Sequence, residues 1–196
     1  MWIERARSSP KRITPRAFCA SDSLIALIAS IAFTTDSISR NLGAPIFFDS
    51  TADHRSRPFD SKKGFGDLIR ACALLGERGK SFRCEIIGEG PLENELSRQI
   101  DELCLQNNVV LAGAKPQTQL RGRLAAANVF VLPSVIDPDG GMDNLPTVIM
   151  EAMATGLPVV STNIGGIPEM VIENETGFLV QPSDAAAMAD AIQNGD

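Results

Sequence analysis

Residues 143–160, DNLPTVIMEAMATGLPVV, join a loop carboxylate, a short apolar helix, a turn and a β-branched strand. Pro146 suits the first turn of a helix, where its missing N–H would have no intrahelical partner. Gly156 predicts the end of this helix, because glycine adopts the left-handed conformation at little cost. The helix is then about three turns long. It carries one carboxylate, Glu151, in an apolar middle, and burying a lone ionised carboxylate is costly without a partner.

Two interpretations of this stretch are open from its residues alone. Asp143 either caps the helix while Glu151 faces water, or both acids have a binding role. The flanking strand, Pro158 to Ser161, is apolar and β-branched, as strands buried on both faces are.

The same alternation of strands and helices continues over most of the chain from residue 57. One helix pattern, residues 64–79, places apolar side chains on one face, namely Phe65, Leu68, Ile69, Cys72 and Leu75. The remaining helices are predicted at 92–106, 117–127, 146–155, near Glu169 and from Ser183, and the strands at 82–87, 109–111, 129–132, 158–161 and 177–180. This order predicts an α/β fold, a Rossmann-like doubly wound parallel sheet. Its ligands are expected beyond the carboxyl ends of the strands.

Composition excludes several classes of function. With 44% hydrophobic and 21% charged residues, the chain of 196 residues is not a polar disordered chain. A net charge of −6 argues against a duplex nucleic-acid binder. The single histidine, His54, and cysteines without Cys-x-x-Cys spacing predict no metal site. Cys72 and Cys84 have apolar neighbours and are predicted to be buried thiols of a reducing compartment.

Residues 1–50 differ in pattern from the rest of the chain and are assigned to a leader, with the domain at residues 51–196. The start is basic, and residues 24–33, LIALIASIAF, form an apolar run too short to span a bilayer comfortably. Three interpretations are open: an export signal, a poorly structured incidental leader from an upstream start or a damaged reading frame, and membrane association.

The motifs of this chain resemble those of a known family. Asp143 and Glu151 stand eight residues apart, like the acidic pair of the retaining nucleotide-sugar glycosyltransferases of family 4, which have the GT-B fold. Leu-Pro, Glu-Ala-Met-Ala, Gly-Leu-Pro-Val-Val and Gly-Gly-Ile-Pro-Glu follow in the family's order. The family usually has Glu at the first position, and Asp is a shorter variant of the same chemistry. The resemblance implies that Asp143 holds hydroxyls of the donor sugar and Glu151 the nucleotide ribose. It also implies that the amides of Asn144 and Leu145 meet sugar and phosphate.

The same resemblance assigns two cations to the donor diphosphate. Arg57 and Lys63, which directly precedes Gly64, match the family's Arg and Lys in spacing. Fixed cations stabilise the charge that develops on a leaving diphosphate without a metal. The alternative is that both are surface cations. The family has a strand just before its Arg, whereas residues 50–56 are polar and not strand-like.

Two glycine-containing loops complete the expected site. Gly88-Glu89-Gly90 follows a strand, but a dinucleotide fingerprint needs a small residue where Glu93 stands. The residues themselves indicate a tight turn, and the resemblance places Gly88 beside the donor cleft. Lys115, in Gly113-Ala114-Lys115, resembles the loop that lines the nucleobase, and the alternative for it is a solvated cation.

The resemblance covers residues 57–196, the donor-binding half of a two-domain enzyme, so a fragment without the acceptor domain is expected. It implies transfer of a hexose, with retention, from a nucleotide diphosphate sugar to a saccharide or lipid-linked acceptor. No cofactor and no nucleic acid are implied, and a cytoplasmic location is expected, either free or at the inner face of the membrane as a peripheral protein. The alternative functions are a non-catalytic nucleotide-binding module or remnant and, disfavoured by Glu93, a nicotinamide-dependent oxidoreductase.

Overall fold

A single parallel sheet forms the centre of the domain. The computed structural model describes residues 45–49, as a strand, and residues 63–193. The six strands are β1 Pro45–Asp49, β2 Arg83–Ile87, β3 Val109–Gly113, β4 Val129–Leu132, β5 Val159–Thr162 and β6 Gly177–Val180. The helices are α1 Phe65–Glu77, α2 Glu93–Glu102, α3 Gln117–Ala126, α4 Thr147–Ala154, α5 Ile167–Met170 and α6 Ala185–Gln193. The predicted α/β fold is confirmed.

The strand order of the sheet is β3-β2-β1-β4-β5-β6, with every pair parallel. The chain builds outward from β1 to β3, then returns and builds in the other direction from β4 to β6. The direction therefore reverses between β1 and β4. In open parallel sheets, ligands bind at such a reversal, beyond the carboxyl ends of the strands.

Strand β1 corrects the domain boundary expected from the sequence. Pro45–Asp49 lies within the residues assigned to the leader, yet it pairs with β2 on one side and with β4 on the other. Residues 46–48 are a short apolar run behind a proline, which is consistent with a buried parallel strand. The residues before and after this run do not have the strand and helix pattern of the domain, so the run was not predicted as a strand. The domain therefore begins no later than Pro45, and polar residues 50–56 lie outside the described part.

The core is built from the faces that the sequence predicts, with one exception. All five apolar residues of the predicted face of α1 are buried. In α2, Leu96 and Ile100 are buried as expected, but Leu103 is 38% exposed. The helix ends at Glu102 rather than at 106, and Cys104 has a positive φ of 55°. This turn brings Leu105 into the core in place of Leu103.

Helices cover both faces of the sheet. On one face α1 packs against α2 and α6, and Arg78 after α1 pairs with Asp190 of α6 at 2.7 Å. Helix α3 packs on β1, and α4 packs on β4 and β5. Right-handed crossovers place these two helices on the opposite face. The carboxyl ends of all strands therefore remain at one open edge.

The predicted burial of two thiols is confirmed. Cys72 of α1 and Cys84 of β2 are both fully buried. The Cys84 thiol forms a hydrogen bond with Cys72 that favours its protonated form, and this bond together with burial raises the pKa of Cys84 well above its usual range. Both residues are free thiols.

Candidate functional site

A buried ion pair lies at the carboxyl edge of the sheet. Lys63 lies two residues before α1, its side chain is only 2% exposed, and its Nζ pairs with Oδ2 of Asp143. Asp143 belongs to the loop between β4 and α4 and is 16% exposed. A buried ammonium is costly unless it is paired, so the Asp143 carboxylate offsets the charge of Lys63. The two residues, predicted separately for diphosphate and sugar, are therefore in direct contact.

Gly64 brings Lys63 to the end of β4. Its φ is +59°, and a Cβ at this position would lie 1.9 Å from the carbonyl oxygen of Pro133. Only glycine allows the two backbones to approach so closely in this conformation. The start of α1 is thus pressed against the residue that follows β4, at the reversal point of the sheet.

Side chains of β5 hold the beginning of the loop that carries Asp143. Pro133 cannot donate a backbone hydrogen bond, so the β4–β5 ladder cannot continue through its nitrogen. Instead, the Ser161 hydroxyl donates to the Leu132 carbonyl at 2.7 Å, and the Thr162 hydroxyl donates to the Ser134 carbonyl at 2.6 Å. Both hydroxyl groups belong to fully buried residues. The last residue of β4 and the second residue of the loop, Ser134, are therefore fixed to β5.

The loop after β5 holds the other end of the same segment. The amide of Gly166 donates to the carbonyl of Asn144 at 2.7 Å. A Cβ on Gly166 would lie 2.6 Å from that carbonyl oxygen, and one on Gly165 would lie 3.1 Å from the carbonyl oxygen of Asp143. Gly165 and Gly166, the Gly-Gly pair of the sequence motif, thus pack directly against the backbone of Asp143 and Asn144.

Helix α4 begins at Thr147, with Pro146 as its N-cap, and no side-chain cap hydrogen bond is present at this helix start. The interpretation of Asp143 as a helix cap is therefore wrong. The helix has 8 residues, a little over two turns rather than three. Gly156, with φ of 78°, ends it as predicted. The amides of Gly156 and Leu157 return to the carbonyls of Met153 and Ala152.

Glu151 lines an open cleft between α3 and α4. The cleft has a volume of about 420 Å³, with Leu120 and Leu124 as apolar lining. Gln117 and Arg121, one turn apart on α3, contribute polar groups. Sequence reasoning did not single out these two residues. The sequence signal that could have identified Gln117 and Arg121 is their spacing of four residues on a helix that follows the Lys115 loop.

The two predicted glycine loops lie at the same edge, further along the sheet. Gly88 follows β2, is buried, has φ of 147° and donates its amide to the Gly113 carbonyl at 3.2 Å. The Ala114 amide lies 3.4 Å from Oε1 of Glu89. These bonds hold the loops after β2 and β3 side by side. Lys115 is half-buried in the second loop.

The exposed end of the Asp143 loop carries the other predicted donor residues. Asn144 is exposed, and Leu145 is 58% exposed. The prediction for Arg57 falls outside the described residues. Ser134 was not predicted. Its buried Oγ has no hydrogen-bond partner among the described residues, and it follows Pro133 at the reversal point.

Neither a metal site nor a membrane span is found among residues 63–193. No three His, Cys, Asp or Glu side chains in the described part are grouped as a metal site would require. No helix in the same part is both long and apolar enough to cross a bilayer.

Comparison with known proteins decides the family. The model of the family "Glycosyl transferases group 1" matches residues 56–194, well over half of the chain. The chain belongs to this family. The group 1 match includes Lys63, Asp143 and Glu151.

Curated relatives of this glycosyltransferase family act in polysaccharide biosynthesis. Over 131 residues the chain is 44% identical to the putative colanic acid biosynthesis glycosyltransferase WcaL of Escherichia coli, covering 67% of this chain and 32% of WcaL. It is also 44% identical to the amylovoran biosynthesis glycosyltransferase AmsK of Erwinia amylovora, over 65% of this chain and 31% of AmsK. The match spans about one third of these relatives.

Solved structures of glycosyltransferases share the fold. Sucrose-phosphate synthase from Thermosynechococcus elongatus has a TM-score of 0.63 and 28% identity, over 84% of this chain and 40% of that one. Anabaena Alr3699/HepE, solved in complex with UDP-glucose, has a TM-score of 0.62 and 26% identity, over 79% of this chain and 39% of that one. The domain is therefore a Rossmann-like domain of the GT-B glycosyltransferases.

Proposed function

We propose that this domain binds the nucleotide sugar donor of a retaining glycosyltransferase. The reaction transfers a hexose from a nucleotide diphosphate sugar to a saccharide or lipid-linked acceptor. The observation that carries the proposal is the contact between Lys63 and Asp143 at the reversal point of the sheet. A cation suited to a diphosphate and a carboxylate suited to sugar hydroxyls are adjacent there, where parallel sheets bind ligands.

The chemistry of transfer requires this pairing of groups. The bond between the anomeric carbon and the diphosphate oxygen breaks, and the diphosphate leaves with the electron pair. An acceptor hydroxyl bonds to the same face of that carbon, and its proton passes to an oxygen of the leaving diphosphate. Lys63 stabilises the charge on the leaving diphosphate, as fixed cations do in dry sites. Arg57 is proposed to assist it, and no metal is required.

The rest of the donor is placed by the neighbouring elements. Asp143 accepts hydrogen bonds from sugar hydroxyls, and the amides of Asn144 and Leu145 contact sugar and phosphate. Glu151 accepts hydrogen bonds from the ribose. Its cleft is also lined by Gln117, which follows Lys115 by two residues. Gly88 borders the donor cleft. The half-buried position of Lys115 suits contact with the nucleobase.

The comparisons support this choice over a non-catalytic nucleotide-binding module, since the relatives named above are glycosyltransferases. One relative, from Mycolicibacterium smegmatis, is a GDP-mannose-dependent phosphatidylinositol monomannoside mannosyltransferase and is 34% identical over 67% of this chain. Because the acceptor of this relative is a lipid, we propose that the enzyme containing this domain acts at the inner face of the cytoplasmic membrane. The acceptor-binding part of the enzyme is proposed to lie outside the matched third of the relatives.

Calorimetric titration of the full chain with UDP and with GDP tests the proposal. Saturable binding of one of them is expected. Lys63→Ala and Glu151→Ala should each weaken it by about 1.5–3 kcal/mol, because each removes a charged hydrogen bond. Arg98→Ala and Glu102→Ala are matched controls, since these residues form an exposed ion pair on α2. If the folded wild-type chain binds neither nucleotide, the proposal is refuted.

A further inference from the structure

We infer that Asp143 is a built-in counter-ion that competes with the donor diphosphate for Lys63, so that the site discriminates nucleotide sugars from the released nucleoside diphosphate. The inference rests on the proposed function and adds a role for Asp143 beyond holding sugar hydroxyls. It concerns the preference between donor and product.

Burial of the ion pair limits how a diphosphate can bind. Lys63 is 2% exposed, so its ammonium cannot turn to water when Asp143 is displaced. A diphosphate that binds Lys63 must take the place of the carboxylate or lie beside it. Either arrangement sets the charges of the carboxylate and the diphosphate near one another around Lys63, which opposes diphosphate binding.

Asp143 cannot easily move away from Lys63. Its loop is held at the start by the Thr162 hydroxyl on the Ser134 carbonyl and at the end by the Gly166 amide on the Asn144 carbonyl. Gly165 and Gly166 also pack directly against the backbone of Asp143 and Asn144. The carboxylate therefore stays beside any anion bound to Lys63.

Donor and product differ in the groups that they present to Asp143. A nucleotide sugar brings hydroxyl groups that donate hydrogen bonds to the Asp143 carboxylate, which stabilises its charge. A nucleoside diphosphate has no sugar at this position, so the Asp143 carboxylate repels the diphosphate without accepting hydrogen bonds from the ligand. Asp143 consequently weakens the binding of the product more than that of the donor, which favours product release.

Asp143→Asn tests this inference in the full chain by titration with UDP, GDP, UDP-glucose and GDP-mannose. The variant keeps the side-chain shape and removes the charge. Binding of the preferred nucleoside diphosphate should become roughly tenfold tighter. The corresponding nucleotide sugar should gain less, or bind more weakly. The thermal midpoint of the ligand-free variant should fall, since Lys63 loses its counter-ion.

One control variant separates a local effect of the Asp143 charge from a general effect of net charge. Asp139→Asn removes the same charge from an exposed residue of the same loop. The side-chain oxygen of the asparagine can still accept the hydrogen bond from the Gly141 backbone amide. The diphosphate affinity of this variant should stay within about twofold. Asp143→Glu retains the charge, so its gain in diphosphate affinity should be smaller than that of Asp143→Asn.

Each result of these titrations bears on a different claim. If the wild-type chain binds a nucleoside diphosphate and Asp143→Asn binds it equally or more weakly, the counter-ion role is refuted and the proposed function stands. If Asp143→Asn does not fold, Asp143→Ser removes the same charge, and a diphosphate affinity equal to or weaker than that of the wild type refutes the role as well. If the folded wild-type chain binds no nucleotide, the proposed function fails first, and the inference fails with it.

Discussion

Lys63 and Asp143, 80 residues apart in the sequence, form an ion pair between the start of α1 and the loop after β4. The pair joins the two halves of the sheet at the point where the strand order reverses. The same two side chains contribute to folding and are proposed to bind the donor, so substitutions here should affect both properties.

Removing one member of the pair should destabilise the domain. We expect Lys63→Met to lower the free energy of unfolding by about 3 kcal/mol, because it leaves the Asp143 carboxylate largely buried without its cation. The double variant Lys63→Met/Asp143→Leu should lose less than the sum of the two single variants. Urea denaturation of the four proteins measures this coupling. Additive losses would show that the pair contributes no interaction energy.

Gly64 should tolerate no side chain. Gly64→Ala combines a positive φ with a Cβ only 1.9 Å from the Pro133 carbonyl oxygen, so backbone must move. We expect a loss of more than about 2 kcal/mol, since the left-handed conformation alone costs roughly 1–2 kcal/mol. Gly79→Ala is the matched control, with φ of +71° and no atom within 4 Å of its Cβ. Equal losses in thermal denaturation would contradict the role of close approach.

The contacts below the Asp143 loop should affect binding of the sugar part of the donor. In Gly166→Ala the new Cβ would lie 2.6 Å from the Asn144 carbonyl oxygen, which displaces the backbone next to Asp143. We expect nucleotide sugar binding to weaken roughly tenfold, as a misplaced polar group loses its hydrogen bonds. Titration with UDP-glucose and GDP-mannose measures this.

Gly122→Ala provides the comparison for this loop variant. Its Cβ meets no atom within 4 Å on α3, so binding should not change and the helix should gain up to about 1 kcal/mol. Thr162→Val and Thr162→Ser test the other end of the loop. Only the valine lacks the hydroxyl that holds the Ser134 carbonyl, and only the valine should weaken binding. If Thr162→Ser weakens binding as much as Thr162→Val does, loss of the hydrogen bond to the Ser134 carbonyl is not the cause.

The Cys84 thiol should make stability depend on pH in the alkaline range. Its pKa is raised in the folded chain by the Cys72 hydrogen bond and by burial, whereas an unfolded thiol ionises near pH 8.5. The folded state therefore retains a proton that the unfolded state loses. The free energy of unfolding should fall as pH rises above about 8.5, by up to about 1.4 kcal/mol per pH unit.

This pH effect can be assigned to the thiol. The chain has no tyrosine, and lysines titrate near pH 10.4, so apart from its four thiols few side chains ionise between pH 8.5 and 9.5. Cys84→Ala should reduce the slope of unfolding free energy against pH in this interval. Cys104→Ser, which replaces an exposed thiol, should leave the slope unchanged. A slope that Cys84→Ala does not alter would assign the effect to another group.

The order of strands and helices from α1 onward, the buried face of α1 and the end of α4 at Gly156 could be predicted from the sequence, whereas β1 could not. These features depend on local periods of apolar residues and on the conformation of glycine, which neighbouring residues specify. Placing the site at the carboxyl edge also followed from a parallel sheet alone. The end of α2 was misplaced because Leu103 fits the helical period, and only packing decided that Leu105 is buried instead.

Tertiary structure decided which distant residues meet. The position of β1 between β2 and β4 brings Lys63 to Asp143, and no local pattern contains that contact. The same holds for Thr162 and Gly166 under the Asp143 loop and for Gln117 and Arg121 opposite Glu151. By itself, the sequence determined most of the secondary structure after β1, the fold class and the chemistry of the candidate residues. Their pairing was determined by strand order, because contacts between remote segments exist only once the sheet is assembled.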